Sequence, residues 1–166
     1  MTRADGAHAY KGRSTRRPSE RPTGPKEETV ANRIDHLGIA VRSLAEAEPL
    51  FRTLLGQECM GHEEVASEGV RVAFFQLGEA RVELLEPMSS ESPLHKSLEK
   101  RGPGIHHVAL QVDDVPAEVA RLKAAGLTFV GEAPRPGAGG CQVAFIHPKS
   151  AGGILVELSD GAHGGA

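Results

Sequence analysis

The chain has no tryptophan, one tyrosine and an aromatic content of 4%, so its core has to be built from aliphatic side chains and five phenylalanines. Its two cysteines, Cys59 and Cys141, follow no metal-ligand spacing and read as reduced, buried thiols in a reducing cytosol. No apolar run approaches the ~20 residues that a membrane-spanning helix needs, which argues against a helical membrane partner. Positive charge is also scarce where it would matter. Residues 1–31 hold seven Lys/Arg against four Asp/Glu, leaving the other 135 residues with twelve against eighteen, a net of −6. Nucleic acid is therefore not an expected partner of the body.

What is present begins with a leader of different character. "MTRADGAHAYKGRSTRRPSERPTGPKEETVA", residues 1–31, carries three prolines, three glycines and no hydrophobic periodicity. It cannot bury enough surface to offset its ordering entropy, so a disordered tail is expected. It has no apolar core of a secretory signal, and its four acids and prolines argue against the amphipathic helix of a transit peptide. A cytoplasmic location is expected, with the mitochondrial matrix as the alternative.

The body repeats itself. "RIDHLGIAV" (33–41) superimposes on "GIHHVALQV" (104–112) at an offset of 71, placing Ile34 on Ile105, Asp35 on His106 and His36 on His107. "ARVELLEP" (80–87) matches "ILVELSDG" (154–161) at an offset of 74, placing Glu83 on Glu157. The Gly/Pro-rich "APRPGAGG" (133–140) accounts for the three extra residues as a longer loop. Two modules follow, about 32–88 and about 103–160, in a single domain over 32–160, with a flexible C-terminal tail at 161–166.

Each module reads as β-α-β-β-β. In the first, Leu44, Ala47, Leu50, Phe51, Leu54 and Leu55 form a helical stripe. Ser43 and Glu46 have capping-box spacing, Gly56 stops the helix, and Pro49 should kink it or delay its start. In the second, Asp114 is the N-cap, Pro116 lies in the first turn, Val115, Val119, Leu122 and Ala125 make the stripe, and Gly126 ends it. Strands are expected near 58–65, 70–77 and 80–86, and again near 127–132, 141–147 and 153–159. A bridging helix near 93–101 places Leu94 and Leu98 inward after "SSESP". The fold class is α+β, with two β-α-β-β-β modules in a curled sheet around a central metal site.

Alternation separates the adjacent histidines 106 and 107. Ile34, His36, Gly38 and Ala40 share one face of the first strand, and Asp35, Leu37, Ile39 and Val41 the other, which faces the helix. On the later strand His107 falls with Ile105, Ala109 and Gln111 on the face of small residues, where Gly38 and Ala109 leave room for a cavity. His106 falls on the helix-packed side or its edge. A sheet curled about a pseudo-twofold axis would then gather His36, Glu83, His107 and Glu157. Two imidazoles and two carboxylates suit a divalent borderline ion such as Zn²⁺, Co²⁺, Ni²⁺ or Mn²⁺. His62, His95 and His163 read as surface residues, and His147 as shaping a turn beside Lys149.

Over Asn32 to Asp160 the sequence resembles the vicinal-oxygen-chelate (glyoxalase) superfamily, and within it the methylmalonyl-CoA epimerase family. "RIDHLGIAV", "LLEP" (84–87), "GIHHVALQV" and above all "FIHPKSAGGILVEL" (145–158) carry the resemblance. It implies interconversion of (R)- and (S)-methylmalonyl-CoA by removal of the C2 proton through a metal-stabilised enolate, an acyl-CoA thioester substrate and a homodimer. Inversion calls for an acid/base group on each face of the planar enolate. Glu157 is the candidate for one face and Glu83 its counterpart. Some family members have Gln where Glu83 stands and a separate Glu on the preceding strand, at a position that Val72 occupies here. Either Glu83 takes that role or a nearby acid such as Glu68 does, with Glu83 preferred. The alternatives are a glyoxalase I-type lactoylglutathione lyase, separated only by the "HPK…GG" ending, and a non-catalytic small-molecule-binding module of the same fold.

Overall fold

A computed structural model describes residues 30–161. The tails expected at 1–31 and 161–166 lie outside the described residues, apart from Val30, Ala31 and Gly161. The first module comprises β1 (Arg33–Ala40), α1 (Leu44–Leu55), β2 (Gly61–Val65), β3 (Val70–Leu77) and β4 (Ala80–Pro87). After α2 (Pro93–Arg101) come β5 (Gly104–Gln111), α3 (Val115–Ala124), β6 (Arg135–Pro136), β7 (Gln142–Ile146) and β8 (Val156–Ser159). All eight strands join one curled mixed sheet in the order β2-β3-β4-β1-β5-β8-β7-β6. The repeat-related strands β1 and β5 pair antiparallel at its centre, flanked by β4 and β8, each parallel to its neighbour. Among the described residues no helix is long and apolar enough to cross a membrane.

The helices form where capping and stripe predict. The Ser43 side chain accepts from the Glu46 amide, the Asp114 side chain accepts from the Ala117 amide, and Gly56 closes α1 in a left-handed conformation at φ 63°. Pro49 neither delays nor divides α1. Packing of Leu44, Ala47, Phe51 and Leu55 against Ala73, Phe75, Val82 and Leu84 outweighs the penalty of about 3 kcal/mol for an internal proline. The stripe is narrower than expected, since Leu50 and Leu54 are exposed.

Three layers result, with helices on both faces of the sheet. One sheet face carries α1 and α3, the latter resting Val115 and Val119 on Ala144, Ile146 and Leu158. On the concave face, Leu94 and Leu98 of α2 pack with Ala40, Val65, Val70, Val72 and Leu85.

The strand expected at 127–132 does not form. Its place is taken by an isolated bridge between Phe129 and Ile146 and by two hydrogen bonds to the β7 region, from the Val130 amide to Phe145 O and from the His147 amide to Thr128 O. Pro134 and Pro136 have no N–H to extend that ladder, so the pairing breaks and resumes only briefly in β6. Likewise β8 starts at Val156 rather than 153, because Gly152 and Gly153 turn at positive φ.

Candidate functional site

The central four strands set the site in two rows. Across β4-β1-β5, Glu83 pairs with Gly38 and Gly38 with His107; across β1-β5-β8, His36 pairs with Ala109 and Ala109 with Glu157. Each row is carboxylate, small residue, imidazole, and the two rows are related by the repeat. The middle residue has to be small. A Cβ on Gly38 would fall 2.3 Å from Cε1 of His107, well inside contact distance.

All four expected residues are buried and line one cavity of about 210 Å³ on the concave face. Three of them converge. Nε2 of His36 and Nε2 of His107 stand 2.9 Å apart, and Oε2 of Glu157 lies 3.1 Å from the latter and 3.7 Å from the former. Glu83 is turned differently: its Oε1 lies 2.9 Å from a terminal nitrogen of Arg81 and 3.5 Å from Nδ1 of His36.

Asp35 was expected on the helix face and His106 on the helix-packed side or its edge, and β-bulges bring both beside this set instead. In the β1–β5 ladder Asp35 is the extra residue between Ile34 and His36, and His106 is the extra residue opposite the Gly38–Ile39 step. The bulges occupy repeat-related positions, Asp35 and His106. Each breaks the alternation that would have carried its side chain to the helix face. Asp35 accepts from Nδ1 of His36 at 2.8 Å, and Nδ1 of His106 lies 3.0 Å from Nδ1 of His107. His106 thus borders the cavity instead of the helix-packed side. Arg81, two residues before Glu83 on β4 and opposite His36, also stands beside this set and was not singled out from sequence. Its guanidinium sits 5.3 Å over the Phe74 ring.

Electrostatics follow from this crowding. Burial works against a charged His36, yet hydrogen bonds to Asp35 and Glu157 and the charge of Glu83 outweigh it and lift the imidazole to about 10. Burial likewise opposes ionisation of Glu157, but His107 and His36 hold its carboxyl down at about 2. Glu83 moves the opposite way, pushed up by burial against the pull of His36 and Arg81. Burial and the charges of His107 and Arg101 press His106 down to about 4.

The other two positions considered from sequence for the second acid/base, Val72 and Glu68, also line the cavity. Val72 is fully buried against α2 and offers no proton-transfer group. Glu68 lines the cavity with both carboxylate oxygens taken by Arg135, at 2.6 and 3.0 Å. His147 does shape a turn, its Nδ1 accepting from the Lys149 amide at 3.1 Å. His163 lies outside the described residues.

The donor chemistry fits a divalent ion. Imidazole nitrogens and a carboxylate oxygen aimed at one point form a borderline N/O set, and the carboxylate on the far nitrogen of His36 is the usual orienting partner of a metal-binding histidine.

The profile of the glyoxalase/bleomycin resistance protein/dioxygenase superfamily matches residues 35–145. The chain belongs to that superfamily. Among its superfamily relatives, the ethylmalonyl-CoA/methylmalonyl-CoA epimerase of Cereibacter sphaeroides is 41% identical over 78% of this chain and 98% of its own length. The mitochondrial methylmalonyl-CoA epimerase of Homo sapiens is 36% identical over 87% of this chain and 82% of its own length. Streptomyces coelicolor methylmalonyl-CoA epimerase, solved as a variant in complex with 2-nitronate-propionyl-CoA, superimposes with a TM-score of 0.75 at 34% identity, covering 78% of this chain and 94% of the solved one.

Proposed function

We propose that the protein is a metal-dependent epimerase that interconverts (R)- and (S)-methylmalonyl-CoA by moving the C2 proton. The observation that carries this reading is the pair of buried, repeat-related carboxylates, Glu83 and Glu157, flanking two imidazoles in one cavity. Epimerase relatives of 36–41% identity over most of the chain support it.

The C2–H bond lies between a thioester and a carboxylate, so its removal places negative charge on the flanking oxygens. A divalent ion held by His36, Glu83, His107 and Glu157 would supply the electrophile that this charge needs. The chain's own groups do the rest. Glu157 takes or returns the C2 proton on one face of the planar enolate, and Glu83 does so on the other. Their placement on β8 and β4, on opposite sides of the central β1–β5 pair, supports roles on opposite faces of the enolate. Asp35 and His106 hold the outer nitrogens of the histidines, fixing ring orientation. The apolar wall of Val65, Val72, Leu85 and Leu94 keeps bulk water from the carbanion. Arg81 offsets part of the charge on Glu83.

A domain over 32–160, a homodimeric assembly and a cytoplasmic location belong to the same proposal; two free cysteines accord with a reducing compartment. The test is to incubate purified, metal-loaded protein with one stereoisomer of methylmalonyl-CoA in D₂O. Formation of the other isomer with deuterium at C2 is expected. Unchanged substrate, with turnover of a glutathione hemithioacetal instead, would replace the epimerase by a glyoxalase I-type lyase.

A further inference from the structure

A second cluster of metal-ligating side chains stands on the opposite face of the sheet. Glu48 projects from α1, Cys59 lies in the connection from α1 to β2, and His62 is the second residue of β2. The His62 Nε2 atom lies 2.6 Å from Oε1 of Glu48 and 3.9 Å from Sγ of Cys59, and all three ligand atoms fall within 4.8 Å of one another. Gly61, at φ 155°, gives the backbone between Cys59 and His62 a conformation that brings both side chains to the same side, where the thiol donates to its carbonyl at 3.4 Å.

We propose that Glu48, Cys59 and His62 form a second divalent-cation site, for a borderline ion such as Zn²⁺, separate from the central cavity. The donor set mixes thiolate, imidazole and carboxylate, a combination that selects Zn²⁺ over the hard cations Mg²⁺ and Ca²⁺. On a tetrahedral Zn²⁺ with bonds of about 2.0–2.3 Å, ligand atoms stand about 3.3–3.6 Å apart. The observed 2.6 and 3.9 Å bracket that spacing, and the exposed His62 ring has the freedom to adjust. Nearby Glu58 is engaged by Arg52 at 2.9 Å, so the three protein ligands leave the fourth position to water. Binding would release the thiol proton and pin α1 to the start of β2. None of the three residues lines the central cavity, and Cys59 packs with the α1-side core.

Sulfur makes the site distinguishable. Co²⁺ bound by a thiolate gives a near-ultraviolet charge-transfer band that an all-N/O centre lacks. The full chain, freed of metal by chelation, is titrated with Co²⁺ and followed by absorbance and calorimetry, alongside Cys59→Ser, His62→Ala, His107→Ala and Cys141→Ser. The expected result is one thiolate-linked Co²⁺ per chain whose band persists in His107→Ala and Cys141→Ser. It should vanish in Cys59→Ser and weaken at least tenfold in affinity in His62→Ala. Cys59→Ser should bind one Co²⁺ fewer than the unaltered chain and epimerise as fast. Absence of the band, or its loss in His107→Ala or Cys141→Ser, would overturn the assignment. Failure of the epimerase reading would leave this titration untouched, because its signal arises only from sulfur.

Discussion

Gly38 of β1 stands directly opposite His107 of β5, and the hydrogen in place of a Cβ is what lets the imidazole lie flat over that strand. Replacing Gly38 by Ala puts a methyl group 2.3 Å from the ring, so the ring must leave its position or the strands must part. Gly38→Ala should cost about 1–3 kcal/mol of stability, as overpacking generally does. It should also lower divalent-metal affinity by at least roughly tenfold, since His107 is expelled from the convergent set. Calorimetric metal titration and thermal melting read the two effects separately.

The neighbouring histidines should respond unequally. His107→Ala removes a nitrogen from the convergent trio and should abolish metal binding and turnover. His106→Ala should keep the metal stoichiometry while weakening affinity by roughly tenfold to a hundredfold, because it touches only the outer nitrogen of His107. Asp35→Asn, at the repeat-related bulge, should behave like His106→Ala. Equal loss of metal in all three variants would show that the bulged residues are ligands themselves.

Arg81→Met should leave Glu83 buried without its guanidinium. Breaking a buried pair in this way destabilises by about 3–5 kcal/mol. A divalent ion next to Glu83 would replace the missing charge, so added metal should raise the melting temperature of Arg81→Met more than that of the unaltered protein. An equal rise in both would mean that Glu83 takes no part in holding the ion.

The two thiols should separate in reactivity. Burial, opposed by a hydrogen bond to Ser159 and aided by nearby carboxylates, pushes Cys141 up to about 11. At pH 8 it is therefore about one part in a thousand thiolate, and its reaction rate should climb with pH toward 11. In chelator-treated native protein, a disulfide reagent at pH 8 should modify one thiol per chain quickly, the half-buried Cys59, and both after denaturation. Rapid titration of both in the native state would contradict the burial of Cys141.

Much of this architecture is legible in the sequence because it is written twice. The offset of 71 aligns His36 with His107 and the offset of 74 aligns Glu83 with Glu157, and duplicated position is stronger information than any single strand histidine. Helix caps at Ser43 and Asp114 are local events, and local chemistry suffices to read them. The misreadings share a physical cause in partner strands. A bulge at Asp35 or His106 depends on the register between β1 and β5, which alternation within one strand does not contain. The failure of 127–132 to form a strand depends on prolines that follow it and on β7. Arg81, by contrast, shares a face with Glu83 by simple alternation along β4, a signal within "ARVELLEP" that went unused. The expectation that both cysteines are buried and follow no metal-ligand spacing holds for Cys141 but not for Cys59, which is half-buried and forms a Cys-x-x-His pair with His62; nothing in the sequence, however, brings Glu48 of α1 alongside it.

In the proposed reaction, Glu83 and Glu157 work on opposite faces of one enolate. The most direct test is solvent deuterium incorporation at C2 of each separately prepared stereoisomer by Glu83→Gln and Glu157→Gln, with metal content verified and spontaneous exchange subtracted. Gln retains an oxygen ligand while removing most of the basicity, so metal should remain in both variants. Each should fail to interconvert the isomers, yet exchange the C2 proton of one, and the two variants should prefer opposite isomers. Epimerisation by Glu83→Gln at the unaltered rate would contradict this account and confine proton transfer on that face to another acid, with Glu68, across the cavity and paired to Arg135, the next to replace.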